Sequence, residues 1–413
     1  MAKMTLLQIL LTLLTFAVLQ KLSAMDSTDL LPQRVHSPQL RYGVVSAAQD
    51  RYDSKGRLLS LSDLHAIELD VAALKSIEPQ ISDLVTALNS LGSGQLGDKL
   101  SLGQLRFETA PTIKFQVVAF GLGISPKWTF GIGIPFIDYE NKISIREQGS
   151  NIETYKREFG GLSPALDQAL GRLSVSLPEA AQSELQKKGY KPLESRRDRF
   201  AGDLQIQSLY EVSRTADRAL LYKAVLNLPT GPQDDPDDLA DLDVFGETAV
   251  ENHLLASQQL GGLGGRWSLS GRAGYRYNLP DRPTKRVPIS NETLPGPETK
   301  EQVQRQISGT AILGSSLARQ LSKSWSVAVG YEYRTKDQDR YSGQRNANYN
   351  SLAAESDSTS QKSRFEVSYS SVKSYLDRQA VLPAQFSMEI SDTFAGKNTP
   401  RQLLTELTLM MFY

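Results

Sequence analysis

Segments in which apolar and polar residues alternate with a period of two constrain the fold of this chain more than any other feature. The clearest segment is 325–333, where Trp325, Val327, Val329, Tyr331 and Tyr333 share one face. Segments 128–136 and 267–279 repeat the alternation. Because successive side chains of a β-strand point to opposite faces, the pattern predicts strands with one apolar face.

The three tryptophans all stand at the beginning of such a segment. Tyr or Phe recurs on the same face several residues later, and at about 3.3 Å per residue in tilted strands the two aromatic levels bound a band about 20 Å tall. Indole and phenol rings prefer the headgroup level of a membrane. The pattern favours a membrane barrel over a soluble sandwich, with an aromatic girdle formed by Trp128, Trp267, Trp325, Tyr331 and Tyr333.

Nine further alternating segments bring the predicted number of strands to twelve, within a range of 10–14. They cover 40–52, 101–123, 202–212, 219–229, 248–260, 307–321, 364–372, 384–390 and 402–413. Short and long connections alternate between them, as in barrels with short periplasmic turns and long extracellular loops. The predicted fold class is therefore all-β, a transmembrane antiparallel up-and-down β-barrel of about twelve strands with short helices in its long loops.

The first residues have the layout of a secretory signal peptide. Lys3 precedes an apolar run over 6–19, and the small residues Ser23 and Ala24 precede a plausible cleavage site. The run has about 14 residues, whereas a spanning helix needs about 20. We expect residues 1–24 to be a signal peptide and 25–413 to form the barrel, exported to the outer membrane of a Gram-negative cell.

The last predicted strand ends in an aromatic residue. Tyr413 is in phase with Leu407, Leu409 and Met411, so that it falls on the apolar face. A terminal strand of this kind is what the barrel assembly machinery recognises in outer-membrane proteins. The predicted partners are therefore that machinery, outer-membrane lipid and lipopolysaccharide, and a small-molecule solute.

Composition excludes several classes of function. The chain has no Cys, which excludes disulfide scaffolds, Cys-ligated metal sites and thiol enzymes. Its 46 Lys and Arg balance 46 Asp and Glu, which argues against nucleic-acid binding by bulk positive charge. We expect no cofactor and no nucleic-acid partner.

Two long connections show helical periodicity. Apolar residues recur at helical spacing in 62–92, with Pro79 separating Leu64, Ile67, Val71 and Leu74 from Ile81, Leu84, Val85, Leu88 and Leu91. Ser163-Pro164 begins another helical pattern, in 163–190. The apolar faces of these loop helices either cap the outer mouth of the barrel or pack on one another.

Several stretches resemble the FadL-like group of outer-membrane channels, and most of all its branch named for phenol meta-pathway degradation. The segment 114–136, KFQVVAFGLGISPKWTFGIGIPF, is similar to a hairpin of that branch. Leu-Pro-Thr-Gly at 228–231 with the following acidic run resembles its strand-to-loop exit, and Arg41-Tyr-Gly43 its first strand. The resemblance implies passage of hydrophobic or aromatic compounds. The Asn-Pro-Ala that fatty-acid channels tend to carry near the mature N-terminus is absent, which argues against a long-chain fatty acid.

The predicted inward faces carry charges of both signs. The candidates for lining the lumen are Lys114, Lys223, Glu251, Arg272, Arg276, Glu332 and Arg334, and the same register adds Asp203, Arg364, Glu366 and Glu389. An unpaired charge in a dry interior is costly, so these groups are either hydrated or paired. The lumen is then either a conducting path for small molecules or a plug in a structural or surface-interaction barrel.

An acidic run in the 230–247 connection admits a metal interpretation. Asp234, Asp235, Asp237 and Asp238, followed by Asp241 and Asp243, are dense enough for a weak Ca²⁺ or Mg²⁺ site. Their spacing does not match an EF-hand, and a solvated acidic loop is the alternative.

Enzyme interpretations depend on the three histidines. His36 precedes the first strand and His65 falls in a loop. His253 shares a strand face with Glu251 and Ser257, and such spacing along one strand does not make a catalytic triad without other partners. We expect a channel and not an enzyme, with a barrel enzyme centred on His253 as the weaker alternative.

Overall fold

The structure is a computed structural model and describes residues 28–46, 50–60, 67–70, 81–91, 95–172, 177–241, 245–261, 267–289 and 294–413. The predicted signal peptide, 1–24, lies outside these residues. The chain divides into two compact units. The first comprises Met1–Leu59, Ala110–Asn141 and Arg196–Tyr413, and the second comprises Ser60–Thr109 and Lys142–Ser195.

Twelve antiparallel strands close into a barrel. In chain order they are β1 (His36–Val45), β2 (Ser101–Ser125), β3 (Trp128–Gln148), β4 (Leu204–Arg214), β5 (Arg218–Leu228), β6 (Ala249–Gln259), β7 (Trp267–Asn278), β8 (Thr310–Gln320), β9 (Trp325–Lys336), β10 (Ser358–Ser370), β11 (Ala384–Lys397) and β12 (Leu403–Met411). Each strand pairs with its neighbours in this order, and β1 also pairs with β12. The predicted fold class and strand number are confirmed.

The outward face of the barrel carries rows of apolar side chains. Directly opposed residues of neighbouring strands share a face of the sheet, so the pairing places these side chains side by side. Leu269 lies opposite Leu317, which lies opposite Val329. The row continues through Phe365 to Ile390. Leu269 is 49 % exposed and Val329 is 54 % exposed, so this row forms part of an apolar belt on the outside of the barrel.

Aromatic side chains stand at the ends of this outward face. The ring of Trp325 packs against Tyr369 of β10 in a tilted arrangement, with ring centroids 5.1 Å apart. The guanidinium of Arg319 lies 5.1 Å from the ring centroid of Trp267, directly across the strand pair. The Trp128 indole donates a hydrogen bond to Ser208 Oγ at 2.8 Å. Tyr331 and Tyr333 lie on the same face of β9 as Trp325, toward the other end of the strand.

One rim has short connections and the other has mainly long ones. The short connections follow β2, β4, β6, β8 and β10, and the last of them contains a helical turn at Val372–Leu376. The long connections follow β1, β3, β5, β7 and β9 and contain the remaining short strands, which are Asp50–Tyr52, Leu58–Ser60, Ile67–Asp70, Arg196–Ala201, Thr284–Arg286, Lys300–Gln302, Gln304–Gln306 and Arg340–Ser342. The connection from β11 to β12 is a tight turn through Thr399–Pro400.

The second unit has its own core. Its helices are α1 (Ile81–Ser90), α2 (Ile152–Phe159), α3 (Pro164–Arg172) and α4 (Leu177–Lys187). Leu88 of α1, Ile152 of α2 and Leu170 of α3 are buried in one cluster, so the apolar faces of these three helices pack on one another. None of the helices that the structure describes is long and apolar enough to cross a membrane.

One helical prediction in this unit is wrong. Ile67–Asp70 is a strand that pairs antiparallel with Ser101–Leu105 of β2. Ile67, Glu68 and Asp70 pair with β2, and these backbone hydrogen bonds outweigh the helical spacing of Ile67. Leu64, Val71 and Leu74, the other residues of that pattern, lie outside the described residues.

Candidate site in the barrel interior

One wall of the barrel interior is apolar. Ile113, Phe115 and Val117 of β2 face inward and are buried together with Val45 and Leu404. Gly43 makes room for the Phe115 ring, because a Cβ at this position would lie 2.1 Å from Phe115 Cζ. The inward face of β2 therefore presents an aliphatic and aromatic surface, with Arg41 buried beside it on the inward face of β1.

The opposite wall, formed by β6 to β11, is charged. Glu332 of β9 is 1 % exposed and stands between three arginines. It forms ion pairs with Arg272 of β7 and with Arg334, whose Nε lies 2.7 Å from Glu332 Oε1. Arg364 Nη1 lies 3.9 Å from Glu332 Oε2. Glu332 therefore connects charges on three different strands, β7, β9 and β10.

A second carboxylate extends this network to β11. Arg364 donates to both oxygens of Glu389, from Nε at 3.2 Å and from Nη2 at 2.9 Å. A two-point arginine–carboxylate pair fixes orientation as well as charge. Arg364 and Glu389 are both buried, so the pair lies on the inner side of the barrel.

A separate charged group forms on β6 and β7. His253 Nε2 lies 3.1 Å from Glu251 Oε2, and Arg276 Nη1 lies 3.4 Å from Glu251 Oε1. Arg276 also donates from Nε to Asn278 Oδ1 at 2.9 Å. His253 lies directly opposite Gly274, and a Cβ on Gly274 would lie 2.0 Å from His253 Nδ1. The glycine is therefore required by the position of the imidazole.

The arrangement around His253 gives no catalytic triad among the described residues. Ser257, which shares its strand face, bonds through Oγ to Thr28 Oγ1 at 2.7 Å instead of to the imidazole. The imidazole of His253 bonds to the carboxylate of Glu251, which holds the ring and supplies no nucleophile.

Most of the predicted lumen residues lie on the inner face, but Lys114 does not. Lys223, Glu251, Glu332 and Arg334 are buried inside, and Arg272 and Arg276 are nearly so, with side chains 10 % and 15 % exposed. Of the additional candidates, Asp203, Arg364, Glu366 and Glu389 are buried as well. Lys114 is exposed on the outward face, and this prediction is corrected. Its neighbours Ile113 and Phe115 are buried inside instead. The inward side chains of β2 are apolar and form the interior wall, whereas the prediction assumes that inward side chains are polar.

Asp203 has a structural role next to the barrel mouth. Its Oδ1 accepts hydrogen bonds from Gly231 N at 2.8 Å and from Gly246 N at 3.2 Å. Asn227 Nδ2 donates to its Oδ2 at 2.9 Å. Asp203 therefore ties both ends of the connection between β5 and β6 to the start of β4.

The acidic run in that connection, the predicted divalent-cation loop, is paired with basic side chains. Asp234 pairs with Lys285 at 2.6 Å, and Asp238 pairs with Arg196 at 2.5 Å. Asp237 Oδ1 accepts from Arg286 at 2.6 Å and Oδ2 from Lys300 at 2.5 Å. Asp235 Oδ1 accepts from the backbone N–H of Asp237 at 2.9 Å. A metal ion would have to displace these cations.

The pKa of Asp237 reflects these partners. Partial burial acts to raise the pKa of the carboxyl group, but the hydrogen bonds from Lys300 and Arg286 outweigh it. The net effect is a pKa below the ordinary value of 3.8. Asp237 is therefore ionised in the folded loop.

The short-turn end of the interior is occupied by residues that precede β1, which the sequence did not indicate. Leu30 packs on a buried cluster that contains Leu209, Leu221 and Leu255. Leu31 N donates to Thr129 Oγ1 at 2.9 Å, and Arg214 Nη2 donates to the carbonyl oxygen of Thr28 at 2.6 Å. Residues 28–31 therefore lie against the inner faces of β3 to β6. No alternation or motif in this short stretch distinguishes it from a linker.

Comparisons with known proteins reach only the level of the fold. No family model and no curated protein matches the chain. An outer-membrane channel from Pseudomonas putida F1 matches with a TM-score of 0.54 at 11 % identity, over 94 % of this chain and 100 % of that chain.

Two solved aromatic-hydrocarbon transporters also match. The Pseudomonas putida toluene transporter TodX has a TM-score of 0.31 at 10 % identity, over 92 % of this chain and 89 % of that chain. The Ralstonia pickettii toluene transporter TbuX has a TM-score of 0.33 at 10 % identity, over 93 % and 90 %. Scores of this size do not establish a common fold. The similarity to the Pseudomonas putida F1 channel does, and this chain is a closed barrel with the fold of an outer-membrane channel.

Proposed function

We propose that the protein is an outer-membrane channel for the passive diffusion of small molecules, with hydrophobic or aromatic compounds as its substrate class. We further place it in the FadL-like group, closest to the phenol meta-pathway branch, on the residues that resemble that group. The observation that carries the proposal is the division of the interior into two walls. Phe115 and Val117 stand on the apolar wall, and Glu332 with its arginines stands on the charged wall.

A divided interior suits solutes with an apolar body and a polar edge. An aromatic ring gains contact with the apolar wall, where it needs no hydrogen bonds. A hydroxyl or carboxylate on the same molecule meets the charged wall, where the opposed arginines and glutamates give a transverse field that orients it. Because the charges are paired, the field discriminates by orientation more than by net charge.

The location and the partners follow from the same proposal. The apolar belt that contains Val329 and Leu269 is the surface for outer-membrane lipid, with lipopolysaccharide on the long-loop side. Tyr413 exchanges backbone hydrogen bonds of 2.9 Å with His36, so the chain ends in register beside β1. We assign to β12 and Tyr413 recognition by the barrel assembly machinery, and to 1–24 the export signal.

A plugged structural barrel is the second candidate, and the residues before β1 favour it. Leu30 and Leu31 fill the short-turn end of the interior, where a solute would have to leave. In this alternative the paired charges stabilise the barrel and carry no solute.

Liposome swelling distinguishes the two candidates. Proteoliposomes that contain the refolded mature chain are diluted into small sugars, phenol or benzoate, and a Leu30→Asp variant is compared. Leu30→Asp places a carboxylate against Leu221 and Leu255 and should displace the segment. A channel predicts swelling by the unaltered chain. Swelling only by Leu30→Asp would support the plug, and swelling by neither would reject passive diffusion.

A further inference from the structure

A group of apolar side chains is exposed on the short-turn rim, the rim formed by the connections that follow β2, β4, β6, β8 and β10. The longest of these connections joins β10 to β11 and comprises residues 371–383. Its Leu376 is 74 % exposed and its Val381 is 97 % exposed, and Tyr375 and Leu382 are exposed as well. Large apolar side chains that are grouped and exposed in this way mark a surface that meets a membrane or another protein.

This connection begins and ends at the aromatic girdle of the outward face. Tyr369 of β10 and Phe386 of β11, which stand next to its two ends, lie directly opposite each other, and Trp325 lies opposite Tyr369 on the other side. Ser371 N donates to the carbonyl oxygen of Ala384 at 2.9 Å, and Ala384 N donates to Ser371 Oγ at 2.9 Å. Because girdle aromatics stand at the headgroup level of a membrane, the connection leaves the sheet at that level.

The same connection carries more positive than negative charge. Lys373 and Arg378 are exposed, and neither side chain forms an ion pair with another residue that the structure describes. Asp377 is the one carboxylate within 371–383, and its Oδ2 lies 3.7 Å from Lys323 Nζ in the turn between β8 and β9. The cationic groups of Lys373 and Arg378 therefore stay uncompensated.

These charges favour anionic lipid over a soluble protein as the partner of the connection. The guanidinium of Arg319, which lies over the ring of Trp267, adds a further cation at the same rim. Cationic side chains beside an aromatic girdle are placed to meet the phosphates of the headgroup layer. Exposed apolar side chains next to Lys and Arg are also the composition of segments that lie in a membrane interface.

We propose that the connection between β10 and β11 binds anionic phospholipid of the periplasmic leaflet. Leu376 and Val381 enter the membrane interface, and Lys373 and Arg378 bind headgroup phosphates. Burial of apolar area and attraction to anionic lipid act together in segments of this kind. The inference rests on the lipid-facing belt of the proposed function and is independent of whether the barrel conducts.

Insertion of the connection is measured with a single cysteine, because the chain has none of its own. Val381→Cys is labelled with a fluorescent probe, and the refolded mature chain is placed in phospholipid vesicles. The probe should be quenched by lipids with brominated acyl chains and protected from iodide in the water. Ala216→Cys, exposed in the turn between β4 and β5, is the control and should be quenched by iodide. Equal access of iodide to both probes in folded barrels would overturn insertion and leave the apolar surface to a periplasmic protein.

The lipid class is tested in two sets of vesicles with the same mixture of phosphatidylcholine and phosphatidylglycerol. Bromine is carried by the phosphatidylglycerol in one set and by the phosphatidylcholine in the other, so the ratio of quenching at Val381→Cys reports which lipid is nearer. Phosphatidylglycerol should be preferred. Lys373→Gln and Arg378→Gln should each lower this preference about fivefold, the change expected for one basic side chain at a membrane surface.

The control for charge is a lysine of the same rim. Lys127 is exposed in the turn between β2 and β3, and β12 and β1 separate this hairpin from β11 in the sheet. Lys127→Gln should leave the preference unchanged, because charges farther apart than about 10 Å are screened by salt. No preference for phosphatidylglycerol, or equal losses in Lys127→Gln and Arg378→Gln, would overturn the site. Circular dichroism verifies that each variant is folded, and the swelling assay reports on the channel separately.

Discussion

Arg41 of β1 and Glu406 of β12 form a two-point ion pair across the seam at which the barrel closes. Arg41 donates from Nε to Glu406 Oε1 at 3.1 Å and from Nη2 to Oε2 at 2.6 Å. Gly43, not Arg41, stands directly opposite Glu406, so the pair crosses the strands diagonally. Both side chains are buried, and the pair therefore joins the first and the last strand on the inner side.

Breaking this pair on one side should destabilise the barrel. Glu406→Gln leaves the Arg41 charge buried without its counter-charge, at a cost of about 3–5 kcal/mol. Arg41→Met combined with Glu406→Leu removes both charges and should cost less than the single change. Reversible unfolding from liposomes in guanidinium measures both. A double variant less stable than Glu406→Gln would contradict this role.

The outward belt should tolerate charge only near its edges. Val329→Arg places a guanidinium near the middle of the belt and should cost about 2–4 kcal/mol in folding free energy. Thr335→Arg lies on the same face of β9 but close to the long-loop rim, and should cost at most about 1 kcal/mol. The same unfolding titration compares them. Equal costs would show that the belt does not face lipid.

Position 274 should tolerate only glycine as long as the imidazole of His253 stands opposite it. Gly274→Ala drives a methyl group into His253, and overpacking of this kind costs about 1–3 kcal/mol. His253→Ala removes the obstacle, so Gly274→Ala should be much less harmful in the His253→Ala background. The two variants and the double variant form a thermodynamic cycle. Additive losses in that cycle would reject the steric explanation.

The loop around Asp237 should lose order in acid. Its carboxyl pKa is lowered in the folded protein, so ionisation stabilises the loop above the ordinary value of 3.8, and this contribution is lost as the pH falls below that value. The protection factors of the backbone amides of residues 284–286 and 300–302 against hydrogen exchange should stay constant between about pH 7 and 5 and fall below about pH 4. Asp237→Asn should lower these protection factors at every pH and remove the acid step.

Much of the fold follows from the sequence because alternation and the tryptophans mark the strands. The segment 325–333 became β9 with every predicted outward residue outward, because its apolar residues all lie on one face. The inner residues Glu251, Glu332 and Arg364 follow from the same register.

The predictions fail where a strand does not have one apolar and one polar face, and where the contacts of a residue are distant in sequence. Alternation with apolar residues predicts an inward Lys114, but β2 carries apolar side chains on both faces and its apolar inner face forms the interior wall. The sequence leaves the acidic run open between a weak divalent-cation site and a solvated loop, because its partners Lys285, Arg286 and Lys300 lie some 50 residues or more away. The position of residues 28–31 depends on contacts with β3 to β6, which no local sequence pattern predicts.

The most direct test of the channel is the reversal potential of the refolded protein in a planar bilayer under a salt gradient. Discrete conductance steps are expected from the unaltered chain. Glu332→Gln removes the carboxylate that contacts Arg272, Arg334 and Arg364, so it should shift the reversal potential toward anion selectivity. Asp377→Asn, in the short turn between β10 and β11, is the matched control and should leave it unchanged. A silent bilayer from a folded barrel, or a Glu332→Gln variant with unaltered selectivity, would contradict a conducting path along this wall.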